Sequence, residues 1–244
     1  MTTIPLMYAD DLESGNDDVK YDDDGKNNVL KAHVSIRMAF LRKVYGLLSL
    51  QLLFSTVLGA VCLLVPVIRE FVHTNHWMVI LAMFMSMGIL IALHIKRHDT
   101  PANFILLAVF TVIQAYSVAV IVTFYEQAVV LQAFLLTTFV VIGLTIYALQ
   151  TKKDYSSIGA TIFAGLWILL IGGILQIFIK NTLFELALSV GGAILFSFFI
   201  IFDTQMIMYK VSPEDYILAT ITLYMDIINL FIYILRVLEA ARRQ

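Results

Sequence analysis

The stretch 199–236, FIIFDTQMIMYKVSPEDYILATITLYMDIINLFIYILR, decides how the chain is read. It holds two apolar segments joined by a polar turn, Ser212-Pro213-Glu214-Asp215. Each segment carries one carboxylate where a membrane helix ordinarily has none, Asp203 in the first and Asp226 in the second. An ionisable group inside a membrane helix is costly to bury, so it marks a functional site whose partner should be sought. With a helical rise of about 1.5 Å per residue, Asp203 lies roughly 10 Å from the polar end at Lys210, and Asp226 roughly 15 Å from Tyr216. Antiparallel neighbours joined by a short turn bring the two carboxylates to similar depth. We therefore expect them to be each other's partner.

The rest of the chain has the same membrane character. Of 244 residues, 60% are hydrophobic and 14% charged, which excludes an ordinary soluble domain. A helix crosses the hydrocarbon core in about 20 apolar residues. Seven such stretches fit, at about 45–65, 77–95, 103–125, 128–149, 158–179, 183–208 and 216–238. The expectation is an all-α membrane protein, a bundle of seven transmembrane helices over 35–244. Residues 1–34 are expected to be a disordered acidic cytosolic tail, since 1–31 hold eight acids against three lysines. The one cysteine, Cys62, excludes an intrachain disulfide. No charged-then-apolar leader precedes Tyr45, so the first span is expected to act as the insertion signal.

Lysine and arginine counts give the orientation. With a cytosolic N-terminus and seven crossings, the cytosolic segments hold eight basic residues and the opposite side five. A re-entrant seventh segment would make this eleven against two. Both favour a cytosolic N-terminus and leave the side of the C-terminus open. Thr182 and Glu185 read as a capping box. Gly191, Gly192, Ser189 and Ala193 are small enough to let a neighbouring helix approach. Ser212, Pro213, Glu214 and Asp215 read as the start of the seventh helix.

Two carboxylates in one desolvated site cannot comfortably both ionise, so they would share a proton. The proton would hold the two helices together. Its loss would leave two like charges and push them apart, and acidification would favour the closed pair. The opened pair would attract a cation, with transient calcium favoured because it suits hard oxygen ligands. Thr222, Asp226, Asn229 and Tyr233 follow 4-3-4 spacing and form one polar face. That face could equally be a plain contact between helices. His33, His73, His76, His94 and His98 lie at segment ends without metal-site spacing. No phosphate loop, nucleophile elbow or HExxH pattern occurs, so neither enzyme activity, a bound cofactor nor a nucleic-acid partner is expected.

Five runs carry a resemblance: SIRMAFLRKVYGLLSLQLL (35–53), VTFYEQAVVLQAFLLTT (122–138), GLTIYALQTKKDYSSIGA (143–160), FIIFDTQ (199–205) and SPEDYILATITLYMDIINLFIYILR (212–236). In them the chain resembles the transmembrane Bax-inhibitor (lifeguard) family, in particular its Golgi anti-apoptotic branch. The resemblance implies a seven-helix bundle with a central C-terminal helix. It implies that Asp203 and Asp226 form a pH-sensitive latch on a calcium leak, with Glu214 and Asp226 in the ion pathway. Lowered calcium content of Golgi and endoplasmic reticulum, inhibition of apoptosis, a Golgi membrane address and apoptosis-regulating membrane partners are further implications. Two departures stand out. Phe202 precedes the first aspartate where the family often has tyrosine. The second span carries only His94 where some members have an arginine. A proton-coupled transporter and a scaffold acting only through partner proteins are the rival readings.

Overall fold

Apolar runs of this length become helices because lipid offers the backbone no hydrogen-bond partner, so each segment must satisfy its own N–H and C=O groups. The computed structural model describes residues 23–75 and 77–243, with side chains from Ser35 onward except Ser156. Eight α-helices follow in order among them: α1 (Asp23–Leu64), α2 (Pro66–Thr74), α3 (Trp77–Lys96), α4 (Ala102–Val122), α5 (Gln127–Gln150), α6 (Gly159–Ile179), α7 (Thr182–Tyr209) and α8 (Tyr216–Arg242). All but α2 are long and apolar enough to cross a membrane. The protein is a multi-pass helical bundle with large apolar side chains turned outward. Phe84, Phe139, Ile168 and Phe178 are among them. Such an all-round hydrophobic helix surface is stable only against lipid or other helices.

α8 is the axis of the bundle. It packs against α1, α4, α5 and α7, whereas α3 lies outside on α4 and α6 lies outside on α7. Ile217, Leu223, Tyr224, Leu230 and Leu235 of α8 are fully enclosed. Its first turn meets the α3–α4 link, where Arg97 Nε stands 3.2 Å from Asp215 Oδ1. Its last turn meets the α4–α5 link through an ion pair between Arg242 and Glu126. α8 therefore runs unbroken from one end of the bundle to the other and does not turn back.

Three local expectations are corrected. The chain is helical from Asp23, so 23–34 belongs to α1 and not to a disordered tail; residues 1–22 lie outside the described residues. Once the apolar span has formed a helix, extending it by a residue needs no new nucleus. The stretch between the expected spans 45–65 and 77–95 is not a plain link: Pro66 opens α2, a nine-residue amphipathic helix. The cap of α7 is Asn181 and not Thr182. Its Oδ1 accepts from the backbone N–H groups of Leu183 and Phe184, and a side-chain amide oxygen does there what a hydroxyl was expected to do.

α7 and α8 come close because Gly192 carries no side chain. A Cβ there would lie 2.4 Å from the Tyr233 ring, while one at Gly191 would meet nothing within 4 Å. Tyr233 fills the groove and stacks on Phe196, ring centroids 5.6 Å apart. The turn between the two helices is held from α1. Arg37 donates to the carbonyl oxygens of Met208, an orphan acceptor in the last turn of α7, and of Val211 in the turn beyond it.

Candidate functional site

Asp203 comes from α7, two turns before that helix ends, and Asp226 from the middle of α8. Their carboxyl groups meet in hydrogen-bonding contact. Asp226 is 6% exposed. Neither Asp203 Oδ2 nor Asp226 Oδ2 receives a hydrogen bond from any donor among the described residues. Among the described residues no lysine or arginine pairs with either carboxyl, so what can satisfy the pair is a proton. An ionised carboxylate only accepts, and two carboxyls bond to each other only when one is protonated. The arrangement can hold one proton between the two acids.

The two residues that follow Asp203 along α7 carry a hydroxyl and an amide. Tyr45 of α1 brings its hydroxyl beside Thr204, the residue after Asp203, and beside Thr145 of α5. Gln205 of α7, 5% exposed, is fully engaged. Its Nε2 donates to Lys153 O at 2.8 Å, and its Oε1 accepts from Tyr155 N–H at 2.9 Å. It thereby fastens the α5–α6 link to the helix that carries Asp203. Phe202 lies near Gly159, where an added Cβ would stand 3.2 Å from its ring. His94 is exposed on α3, which packs on α4, away from the pair.

The other expected residues fall elsewhere. Glu214 is exposed in the turn before α8, its backbone N–H donating to Ser212 Oγ at 3.4 Å. Asp215 occupies the N-cap position of α8 without a side-chain cap bond; its carboxylate instead pairs with Arg97 and has His98 Nε2 at 3.6 Å. The polar face of α8 is not a network around Asp226. Thr222 is exposed and donates to its own helix at Leu218 O, and Asn229 donates to Met225 O. Tyr233 belongs to the aromatic contact at Gly192. Among the described residues no group of three or more His, Cys, Asp or Glu side chains forms a metal cluster. Two carboxylates alone are too few for a cage that retains calcium, which takes 6–8 oxygens.

Sequence reasoning missed Gln205, although it stands two residues from Asp203 on the same helix. It also missed a second polar group, in which Gln51 of α1 bonds Thr111 of α4 and Ser55 of α1 bonds Tyr224 of α8. In α1 the signal was present as Gln51 and Ser55 at i, i+4 on the buried face.

With this geometry in hand, comparison with known proteins is decisive. The family profile described as "Inhibitor of apoptosis-promoting Bax1" matches residues 37–243, from the Arg37 clamp to the end of α8. The chain belongs to this Bax-inhibitor family. Protein lifeguard 4 of Mus musculus is 48% identical over 216 residues, covering 88% of this chain and 91% of that protein. The Golgi anti-apoptotic protein of Vaccinia virus (strain Lister) is 46% identical over 241 residues, 99% of each chain. Bax inhibitor 1 of Schizosaccharomyces pombe is 34% identical and covers 98% of this chain and 90% of its own. The family resemblance seen in the sequence is thus established across the whole membrane domain, with the carboxyl pair inside the matched region.

Proposed function

We propose that this Bax-inhibitor protein is a pH-sensitive calcium leak of an intracellular membrane, most specifically the Golgi, and that by lowering stored calcium it inhibits apoptosis. One observation carries the reading: the carboxyl groups of buried Asp226 and half-buried Asp203 face each other, and no cation or other donor among the described residues compensates them. Such a pair is stable with one proton and repels itself without it. Because the two acids sit on the most tightly packed helix pair, repulsion between them acts on the axis of the bundle. An opened pair offers hard oxygens to a passing calcium ion without a full coordination shell to trap it. Glu214 stands at the mouth where α8 begins and would concentrate cations there.

The distribution of charge supports an orientation with the N-terminus in the cytosol. Arg37, Arg42, Lys43, Lys96, Arg97, Lys152, Lys153 and Lys210 all lie at the end of the bundle where α1 enters and α7 turns into α8. The Golgi address and the anti-apoptotic role are supported by the likeness to the Golgi anti-apoptotic protein. The test is calcium loss from loaded liposomes that contain only the purified chain. Wild type leaks above the rate of empty liposomes, and Asp226→Asn changes that rate. Equal rates for empty and protein-containing liposomes would overturn the leak in favour of a scaffold. Uptake against a calcium gradient driven by protons would identify a transporter.

A further inference from the structure

We propose that the seam between α1, α4 and α8 holds a second ligand site, one that takes a partly hydrated cation in transit through the bundle. This rests on the leak reading and adds to it a place the carboxyl pair does not occupy. The site is built from neutral oxygens. Gln51, 5% exposed, donates from Nε2 to Thr111 Oγ1 at 2.7 Å. Thr111 Oγ1 also lies 2.8 Å from Leu107 O, and with its hydroxyl hydrogen directed there its oxygen accepts from the Gln51 amide. Ser55 gives its hydrogen to Gln51 O at 2.8 Å. The 2.8 Å contact between Ser55 Oγ and Tyr224 Oη is therefore donated by the tyrosine.

Every hydroxyl hydrogen of the cluster is thus directed at a protein acceptor. What remains is lone pairs, above all Gln51 Oε1, which no donor among the described residues reaches. A buried carbonyl oxygen in that position calls for a positive charge or a water hydrogen. The same seam holds a second such oxygen. Asn103 of α4, 1% exposed, donates to Arg97 O at 3.0 Å and leaves its Oδ1 without a donor. Eight residues of helix separate Asn103 from Thr111, about 12 Å. Two unmatched amide oxygens therefore stand at different depths along α4.

The Gln51 cluster contains no carboxylate. Neutral oxygens hold an ion loosely, and conduction needs sites that ions can leave as well as enter. The seam is also distinct from the carboxyl pair. Tyr224 and Asp226 are two residues apart and point to opposite sides of α8, Tyr224 toward α1 and Asp226 toward α7. The two sites can be altered separately.

Two measurements on the full-length chain in liposomes test this. In the first, calcium flux through Gln51→Leu is expected to fall about tenfold, the scale of one lost polar contact, while the response to pH persists. Gln51→Glu, which keeps Oε1, is expected to restore flux relative to the leucine variant. Undiminished flux in Gln51→Leu beside a leaking wild type overturns the inference, whereas a wild type that does not leak overturns the leak reading instead. The second measurement does not depend on flux. In a Cys62→Ser background, Ser55→Cys is expected to react with a small cationic methanethiosulfonate faster than the outward-facing control Leu53→Cys. A Ser55→Cys that reacts no faster than that control shows a dry seam and overturns the inference.

Discussion

Two residues beyond Asp203, Gln205 anchors α7 to a neighbouring link. Its carboxamide holds both a carbonyl and an N–H of the α5–α6 link, so α7 and that link move together. Gln205→Leu leaves both backbone groups without their partner, at a cost of about 1–3 kcal/mol. Amide exchange at Tyr155 is expected to accelerate and thermal stability to fall, with Gln205→Glu intermediate because it retains the acceptor for Tyr155. Unchanged exchange at Tyr155 would contradict the assignment. Outside the membrane, a hydrogen bond from Lys96 holds the Asp99 carboxyl below the usual carboxylate range. A group of that kind stays charged at neutral pH and contributes its pairing above its ordinary range, losing it only on strong acidification. Asp99 is exposed, so the contribution is small. It cannot supply a pH response near neutrality.

Between elements, close approach decides the geometry. Gly192 lets the Tyr233 ring lie against the α7 backbone, and this sets the separation of the helices that carry the two acids. Gly192→Ala is expected to destabilise the protein in detergent by about 1–3 kcal/mol through displacement of that ring. Gly191→Ala, one residue away, has open space and is expected to be neutral or slightly stabilising. Equal effects of the two substitutions on thermal unfolding would contradict the packing. The sequence indicated a small-residue patch but not which glycine matters, because that depends on where Tyr233 arrives from α8. The long apolar runs were legible because a crossing helix has one length and one composition. α2 was not, since nine residues between two spans look like a loop until the amphipathic period of PVIREFVHT is noticed. The pairing of Asp203 with Asp226 was legible because depth in adjoining antiparallel helices is simple arithmetic. The seam of Gln51, Thr111, Ser55 and Tyr224 was not, since it joins helices far apart in the chain.

At the scale of the whole molecule, α8 ties both ends of the bundle, meeting Arg97 at one and Glu126 at the other. The termini of the membrane domain therefore lie on opposite faces. In sealed Golgi vesicles a tag at the N-terminus is expected to be digested by added protease and a tag at the C-terminus to be protected. Digestion of both would contradict seven crossings. On the proposed reading, the carboxyl pair is the place where protonation acts on the central helix. The most direct test is the pH dependence of calcium flux from liposomes containing wild type, Asp203→Asn or Asp226→Asn. Wild-type flux is expected to rise as the pH is raised and the shared proton leaves, and either asparagine variant is expected to flatten this rise. A wild-type flux independent of pH, or the same rise in both variants, would contradict it.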